Sequence, residues 1–286
     1  MNELFINSQI LRRCYSIYKK IYSRIYIYIN KLQDKTWILH QIACQIVSKG
    51  FFHKHYSNIN SLPTADIFEF EKFNYLVRPS FLDADSINFI KNEFQDKIAS
   101  SDNEESWTQP LEKPIFNRVL YSYPAEYLNQ IRSLKRPTDK IPNLIDLIYS
   151  KFSLALSQIH RSNFRIDNLW IYETINNGEL TYNYNSQWHL DGDPDTSIKV
   201  LVYLVDVNLL NGPLVIKDPE TKLDKPITAP AGTAIFFRSG KILHSASNTT
   251  KAPRMTLSFL TLPCIYRNRY KEKQINILKK KTPLLW

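Results

Sequence analysis

Glycine is scarce in this chain: there are six in 286 residues. Turns must therefore lean on Asn, Asp, Ser and Pro. Cysteine is scarcer still, and Cys14, Cys44 and Cys264 are odd in number and far apart. They form neither Cys-x-x-Cys spacing nor a disulfide framework, so a reducing cytosol is the expected compartment. No run of 18 apolar residues exists, which excludes a transmembrane helix. The start Met-Asn-Glu lacks the apolar core of a signal peptide.

Acidic charge is missing from the two ends. Residues 1–60 hold nine Lys/Arg against two Asp/Glu, and residues 263–286 hold seven against one. Of the net +10, the ends supply +7 and +6, which leaves the middle at −3. A basic stripe along the central region is thus absent, which argues against nucleic acid as a partner. Leu11, Cys14, Tyr18, Ile21, Ile25, Tyr28 and Leu32 fall at three- and four-residue steps, a helix face. Arg13, Lys20, Arg24 and Lys31 form another row. This basic amphipathic helix either packs on the body of the protein or rests on an anionic membrane or partner. A second helix is expected over 36–48, followed by His53 and His55 in a polar loop. The stretch 101–106 reads as an acidic surface loop.

What the middle does contain is His189-Leu190-Asp191, then His244, then Arg254. Two imidazoles and a carboxylate are what a non-haem Fe(II) site needs on one side of the metal. His189 and Asp191 are two apart, so on a strand both side chains leave one face. Residues 232–244 read as a strand, a Ser-Gly turn and a second strand end carrying His244. Arg254 opens the alternating run Arg254-Met-Thr-Leu-Ser-Phe-Leu-Thr-Leu262, where it shares a face with Thr256. A guanidinium beside a hydroxyl suits a carboxylate. The plain alternative is ordinary polar residues in strands and turns.

The surroundings add to the motif. Trp188-His-Leu-Asp191, Ile198–Asp206, Asn211-Gly-Pro-Leu-Val215, Ala231–Phe237, Leu243–Asn248 and Pro253–Phe259 follow one another in an order and spacing that resemble the phytanoyl-CoA dioxygenase-like Fe(II)/2-oxoglutarate oxygenases. Phe70–Val77 with Phe81–Ile90 looks like that family's opening strand and helix, so the resemblance covers roughly residues 66 to 262. It implies a mainly β fold with flanking helices (α+β), a double-stranded β-helix of the jelly-roll or cupin type, with an N-terminal helical extension. It implies Fe(II) on His189, Asp191 and His244. It implies 2-oxoglutarate held by Arg254 and Thr256, with O2 as the other co-substrate. Where many members run on to a Pro-Gly-Ser-His turn, this chain reads Ile216–Lys222, which alters the pocket rim and not the metal set. The carboxylate Asp191 is present, unlike in the related halogenases. The nucleic-acid demethylases resemble a pattern with a second Arg six residues on, and that position is Leu260.

Three further residues are candidates for substrate contact. Gln187 shares the ligand face of its strand, Tyr172 (with Thr174 as the other option) lies on the strand expected over 168–175, and Arg238 precedes His244 with Lys241 beside it. Trp188 points the other way and is expected in the core. A helix is expected over 143–157.

The expected organisation is a basic helical extension (1–60), an oxygenase domain (61–263) and a basic tail (264–286). The expected activity is hydroxylation of an unactivated C–H bond in a small metabolite or conjugate, such as a lipid, sugar or amino-acid derivative, with release of succinate and CO2. The expected place is the cytoplasm, with peripheral membrane contact through the basic helix as an option. The competing readings are an oxygenase acting on a macromolecule recruited by the basic ends, a non-catalytic cupin-type binding module, and a Zn or Mn cupin enzyme.

Overall fold

The computed structural model describes residues 38–46, 61–100, 131–134, 137–174, 188–247, 249 and 252–264. The expected basic helix over 11–32, the His53/His55 pair, the 101–106 loop, Gln187 and the C-terminal tail lie outside them.

The elements run α1 (38–46), α2 (Thr64–Phe73), β1 (Tyr75–Arg78), α3 (Ala84–Ser100), β2 (Ile131–Leu134), α4 (Pro137–Lys140), α5 (Leu144–His160) and β3 (Asn163–Thr174). Then come β4 (Ile198–Tyr203), β5 (Leu214–Lys217), β6 (Asp224–Ile227), β7 (Ala234–Phe237), β8 (His244–Ala246) and β9 (Arg254–Cys264). A six-stranded antiparallel sheet has the order β1-β7-β4-β9-β3-β2, and a three-stranded sheet the order β6-β5-β8. The chain crosses to the small sheet after β4, and from β6 to β9 successive strands alternate between the two sheets; this is the double-stranded β-helix that the resemblance implied.

Alternation decides which side chains enter the barrel. On β9, Met255, Leu257 and Phe259 join the cluster under the helices. Arg254, Thr256 and Ser258, on the opposite face by the two-residue period, turn inward. β4 divides the same way: Val200 and Val202 face the helices, while Leu201 and Tyr203 belong to the inner cluster. β3 needs a correction of phase to do this. Its register against β9 slips between Ile166 and Asn168. The extra residue Asp167 lets both Ile166 and Ile171 reach the helix side. Beyond the bulge, Trp170, Tyr172 and Thr174 lie on the barrel face, opposite Ser258, Thr256 and Arg254.

The outer core sits between the large sheet and helices α2, α3 and α5. Phe152 of α5 meets Phe259 edge-on with centroids 5.2 Å apart, and packs near Phe236 at 6.2 Å. Burying each such ring stabilises the fold by about 1.5–3 kcal/mol. The inner core fills the barrel with Leu201, Leu214, Ile216, Ile227 and Phe237. Tyr203 ties the two sheets together: its hydroxyl donates to the Ile227 carbonyl at 2.9 Å and accepts from the Leu214 N–H at 3.0 Å. Burial pushes its phenol up to about 12, so it stays protonated and keeps donating. Helix α1 docks at the end of β9, where His40 Nε2 lies 3.2 Å from the Pro263 carbonyl.

One expectation of the sequence reading fails here. Phe70–Val77 is not one strand: residues 70–73 end α2, and β1 begins at Tyr75. Asn74 separates the two by closing the helix in the left-handed conformation (φ 60°), with its N–H on the Phe70 carbonyl. Asparagine tolerates that conformation better than most residues. The expected helix 143–157 and strand 254–262 are present and longer, as Leu144–His160 and Arg254–Cys264. No helix among the described residues is long and apolar enough to cross a membrane.

Candidate metal and co-substrate site

His189 and His244 face each other in a single antiparallel bridge. The His189 N–H donates to the His244 carbonyl at 3.0 Å, and the reverse bond is 3.1 Å. The sequence reading placed His189 and Asp191 on a strand. The structure supports the segment with this bridge and with one more bond, from the Asp191 N–H to the Ser239 carbonyl at 3.0 Å. The turn 239–241 therefore serves both ligand segments. It is tight at Gly240, where a Cβ would lie 2.6 Å from the Asp193 carbonyl oxygen.

The three ligand atoms of His189, Asp191 and His244 lie within 4.8 Å of one another. His189 Nε2 is 3.7 Å from Asp191 Oδ1, and His244 Nε2 is 3.8 Å from Asp191 Oδ2. The side chains are nearly closed to solvent, at 8% exposure for His189 and Asp191 and 4% for His244. His244 Nδ1 sits 2.8 Å from the Ile242 carbonyl. A carbonyl only accepts, so Nδ1 carries the proton and Nε2 presents its lone pair. Burial lowers the His244 pKa to about 4, so the ring is neutral at pH 7. Burial opposes the charge on Asp191, but the Lys199 ammonium, then His244 and His189, outweigh it and hold the carboxyl below the usual range. A neutral imidazole and an ionised carboxylate are the forms that bind a metal.

On the inward face of β9, Arg254 is 3% exposed and donates from one terminal nitrogen to Thr174 Oγ1 at 3.4 Å. Its Nε has no hydrogen-bond partner among the described residues, nor have Thr256 Oγ1 and Ser258 Oγ. No carboxylate pairs with Arg254 among the described residues. Leaving a buried cation and two hydroxyls unsatisfied costs free energy that an anionic ligand would recover. The donor set thus fits a carboxylate.

The remaining candidates divide. Tyr172 lies directly opposite Thr256 across the β3–β9 ladder, on the barrel face. Arg238 is committed elsewhere: it donates to Asn74 Oδ1 at 2.8 Å, pairs with Glu71 at 3.3 Å and lies over the Phe70 ring. Lys241 lies 3.6 Å from an Asp195 oxygen at the turn. Trp188 is half-buried under Lys217, whose Nζ is 5.0 Å from the ring centroid. Sequence reasoning passed over Ser258 and Lys199. The last carried a signal, being the one charge in Ile198-Lys-Val-Leu-Val-Tyr203.

No protein-family model matches the chain, and no curated protein matches it in sequence. Solved structures do match in fold. The epimerase SnoN from nogalamycin biosynthesis, in complex with Fe3+, alpha ketoglutarate and nogalamycin RO, superposes with a TM-score of 0.53 at 16% identity over 72% of this chain and 86% of that one. The alpha-ketoglutarate-dependent carbocyclase SnoK from the same pathway gives 0.52 at 12% over 72% and 87%. EctD from S. alaskensis with 2-oxoglutarate and 5-hydroxyectoine gives 0.52 at 15% over 74% and 79%. The chain shares its double-stranded β-helix fold with these structures.

Proposed function

We propose that this chain is an Fe(II)- and 2-oxoglutarate-dependent dioxygenase that hydroxylates an unactivated C–H bond of a small metabolite or conjugate. His189, Asp191 and His244 hold the iron. Arg254 and Thr256 hold the distal carboxylate of 2-oxoglutarate. When bound, iron with this co-substrate supplies O2-dependent oxidation, with succinate and CO2 as the co-products. The chain's own part is to fix the ligands, orient the co-substrate along β9 and keep water out of the barrel.

The observation that carries this reading is the pairing of two features in one barrel. A cluster of His189, Asp191 and His244 accompanies a buried Arg254 that, among the described residues, has no carboxylate partner and is flanked by unsatisfied hydroxyls. A binding module needs only one of them; the reaction needs both. The fold neighbours handle small molecules by their names, which supports a small substrate, and Tyr172 and Gln187 are the residues we place near it. A cytoplasmic location and kinship with the phytanoyl-CoA dioxygenase-like branch belong to the same proposal.

The test is anaerobic titration of the purified chain with Fe(II) and then 2-oxoglutarate. A weak visible charge-transfer band is expected, lost in His189→Ala and diminished in Arg254→Ala. Substrates would then be screened by succinate release. No band, together with no 2-oxoglutarate binding by calorimetry, would overturn the proposal.

A further inference from the structure

β4 puts a lysine where the barrel would accept an apolar residue. Lys199 stands in register between Phe237 of β7 and Leu260 of β9, on the inward face. A charge at such a position costs desolvation unless it is paired. Its Nζ donates to Asp191 Oδ2 at 2.7 Å and lies 6.0 Å from the Phe237 ring centroid. Asp191 Oδ1 lies 3.7 Å from His189 Nε2, and Oδ2 lies 3.8 Å from His244 Nε2. The two oxygens differ in their partners: a strong charge-assisted bond from Lys199 engages Oδ2, and no ammonium engages Oδ1 among the described residues.

We propose that Lys199 is a positioning residue that holds Asp191 by Oδ2, so that the carboxylate offers a metal Oδ1 alone. This rests on the function proposed above. Carboxylates bind metals through one oxygen or two. A carboxylate that binds through both takes a coordination position that a chelating 2-oxo acid needs. Lys199 keeps that position open by engaging the second oxygen. The backbone does the rest, since the Asp191 N–H is already tied to Ser239.

The experiment compares Lys199→Met, which removes the donor, with Lys199→Gln, which keeps a donor without the charge. Both are studied anaerobically as the full chain with Fe(II) and 2-oxoglutarate. Lys199→Met is expected to bind Fe(II) about tenfold more weakly, the usual scale for losing a ligand's hydrogen-bond partner. At saturating Fe(II) its 2-oxoglutarate affinity is expected to fall as well, and its charge-transfer band to weaken and shift. Lys199→Gln should restore both. Wild-type affinity and band in Lys199→Met would overturn the inference, as would equal losses in the two variants. A crystal structure of the wild-type chain loaded with Ni(II) needs no variant, and both Asp191 oxygens on the metal would overturn it too. A wild-type chain that binds neither Fe(II) nor 2-oxoglutarate overturns the proposed function itself, and this inference with it.

Discussion

His189 and His244 are joined through their backbones before any metal arrives: each donates its N–H to the other's carbonyl, at 3.0 and 3.1 Å, and their rings stand 4.3 Å apart. The pair is preorganised by the fold, so the metal is not needed to assemble it. His189→Ala is therefore expected to lose Fe(II) affinity by more than the roughly hundredfold that a ligand's hydrogen-bond partner is worth. The metal-free variant should unfold within about 1 kcal/mol of wild type in urea. Added metal should raise the wild-type melting temperature and leave the variant's unchanged. A variant that is unfolded without metal would show that the bridge does not hold the site.

Arg254 gives a prediction of opposite signs. In the metal-free protein it is a buried cation with no carboxylate partner among the described residues. Arg254→Met removes that burden, so the metal-free variant should be at least as stable as wild type in thermal unfolding. Its 2-oxoglutarate affinity should fall by about 1.5–3 kcal/mol, one to two decades, with Fe(II) affinity unchanged. Thr256→Val, close in shape, should lose about 0.5–1.5 kcal/mol of the same affinity. Lower stability with unchanged 2-oxoglutarate binding would make Arg254 a structural residue.

The clustering of His189, Asp191 and His244 was legible in the sequence because a candidate ligand set is a pattern of residue types at fixed spacing, and strand alternation tells which residues share a face. Arg254 and Thr256 lie on one face as the two-residue period requires. Phe70–Phe73 misled because their apolar spacing suits a strand as well as a helix end, and the left-handed turn at Asn74 is set by tertiary packing. Arg238 looked available because its partners, Glu71 and Asn74, are more than 160 residues away in the chain. Lys199 was visible as a charge in an apolar strand, but only the three-dimensional return of β4 to Asp191 gives it a role.

Scarce glycine makes the few positions that need it informative. Gly232 has φ +84°, and a Cβ there would lie 2.3 Å from the Leu82 carbonyl oxygen and 3.1 Å from Ile87 Cδ1. It also accepts from the Leu82 N–H and donates to the Tyr203 carbonyl, so it couples the entry to α3 with β4. Gly232→Ala must strain the backbone and displace Leu82. The expected loss is about 2–4 kcal/mol, from the left-handed conformation and overpacking together. A urea midpoint that falls with an unchanged slope would confirm it, and a midpoint equal to wild type would show that the contact relaxes freely.

His160 sets a pH dependence that is separate from the site. It is fully buried at the end of α5, and its Nε2 lies 3.0 Å from Thr261 Oγ1. The Thr261 hydroxyl donates to the Ile198 carbonyl at 3.0 Å, so it accepts from His160, which holds its proton on Nε2. Nδ1 has no partner among the described residues. Burial lowers the pKa from the ordinary 6.5 to about 3. Between those values the unfolded chain binds a proton that the folded chain refuses. Stability from this group is therefore complete above pH 6.5 and is lost as pH falls towards 3, by up to about 1.4 kcal/mol per pH unit. His244 adds a loss of the same sign in the metal-free protein, so the comparison must be between variants. His160→Gln, which keeps a donor for Thr261 and cannot titrate in this range, should show a shallower fall of unfolding free energy between pH 6.5 and 4 than wild type. Equal slopes would mean that His160 accepts its proton inside the folded core, and that the packing of α5 on β9 is looser than its full burial indicates.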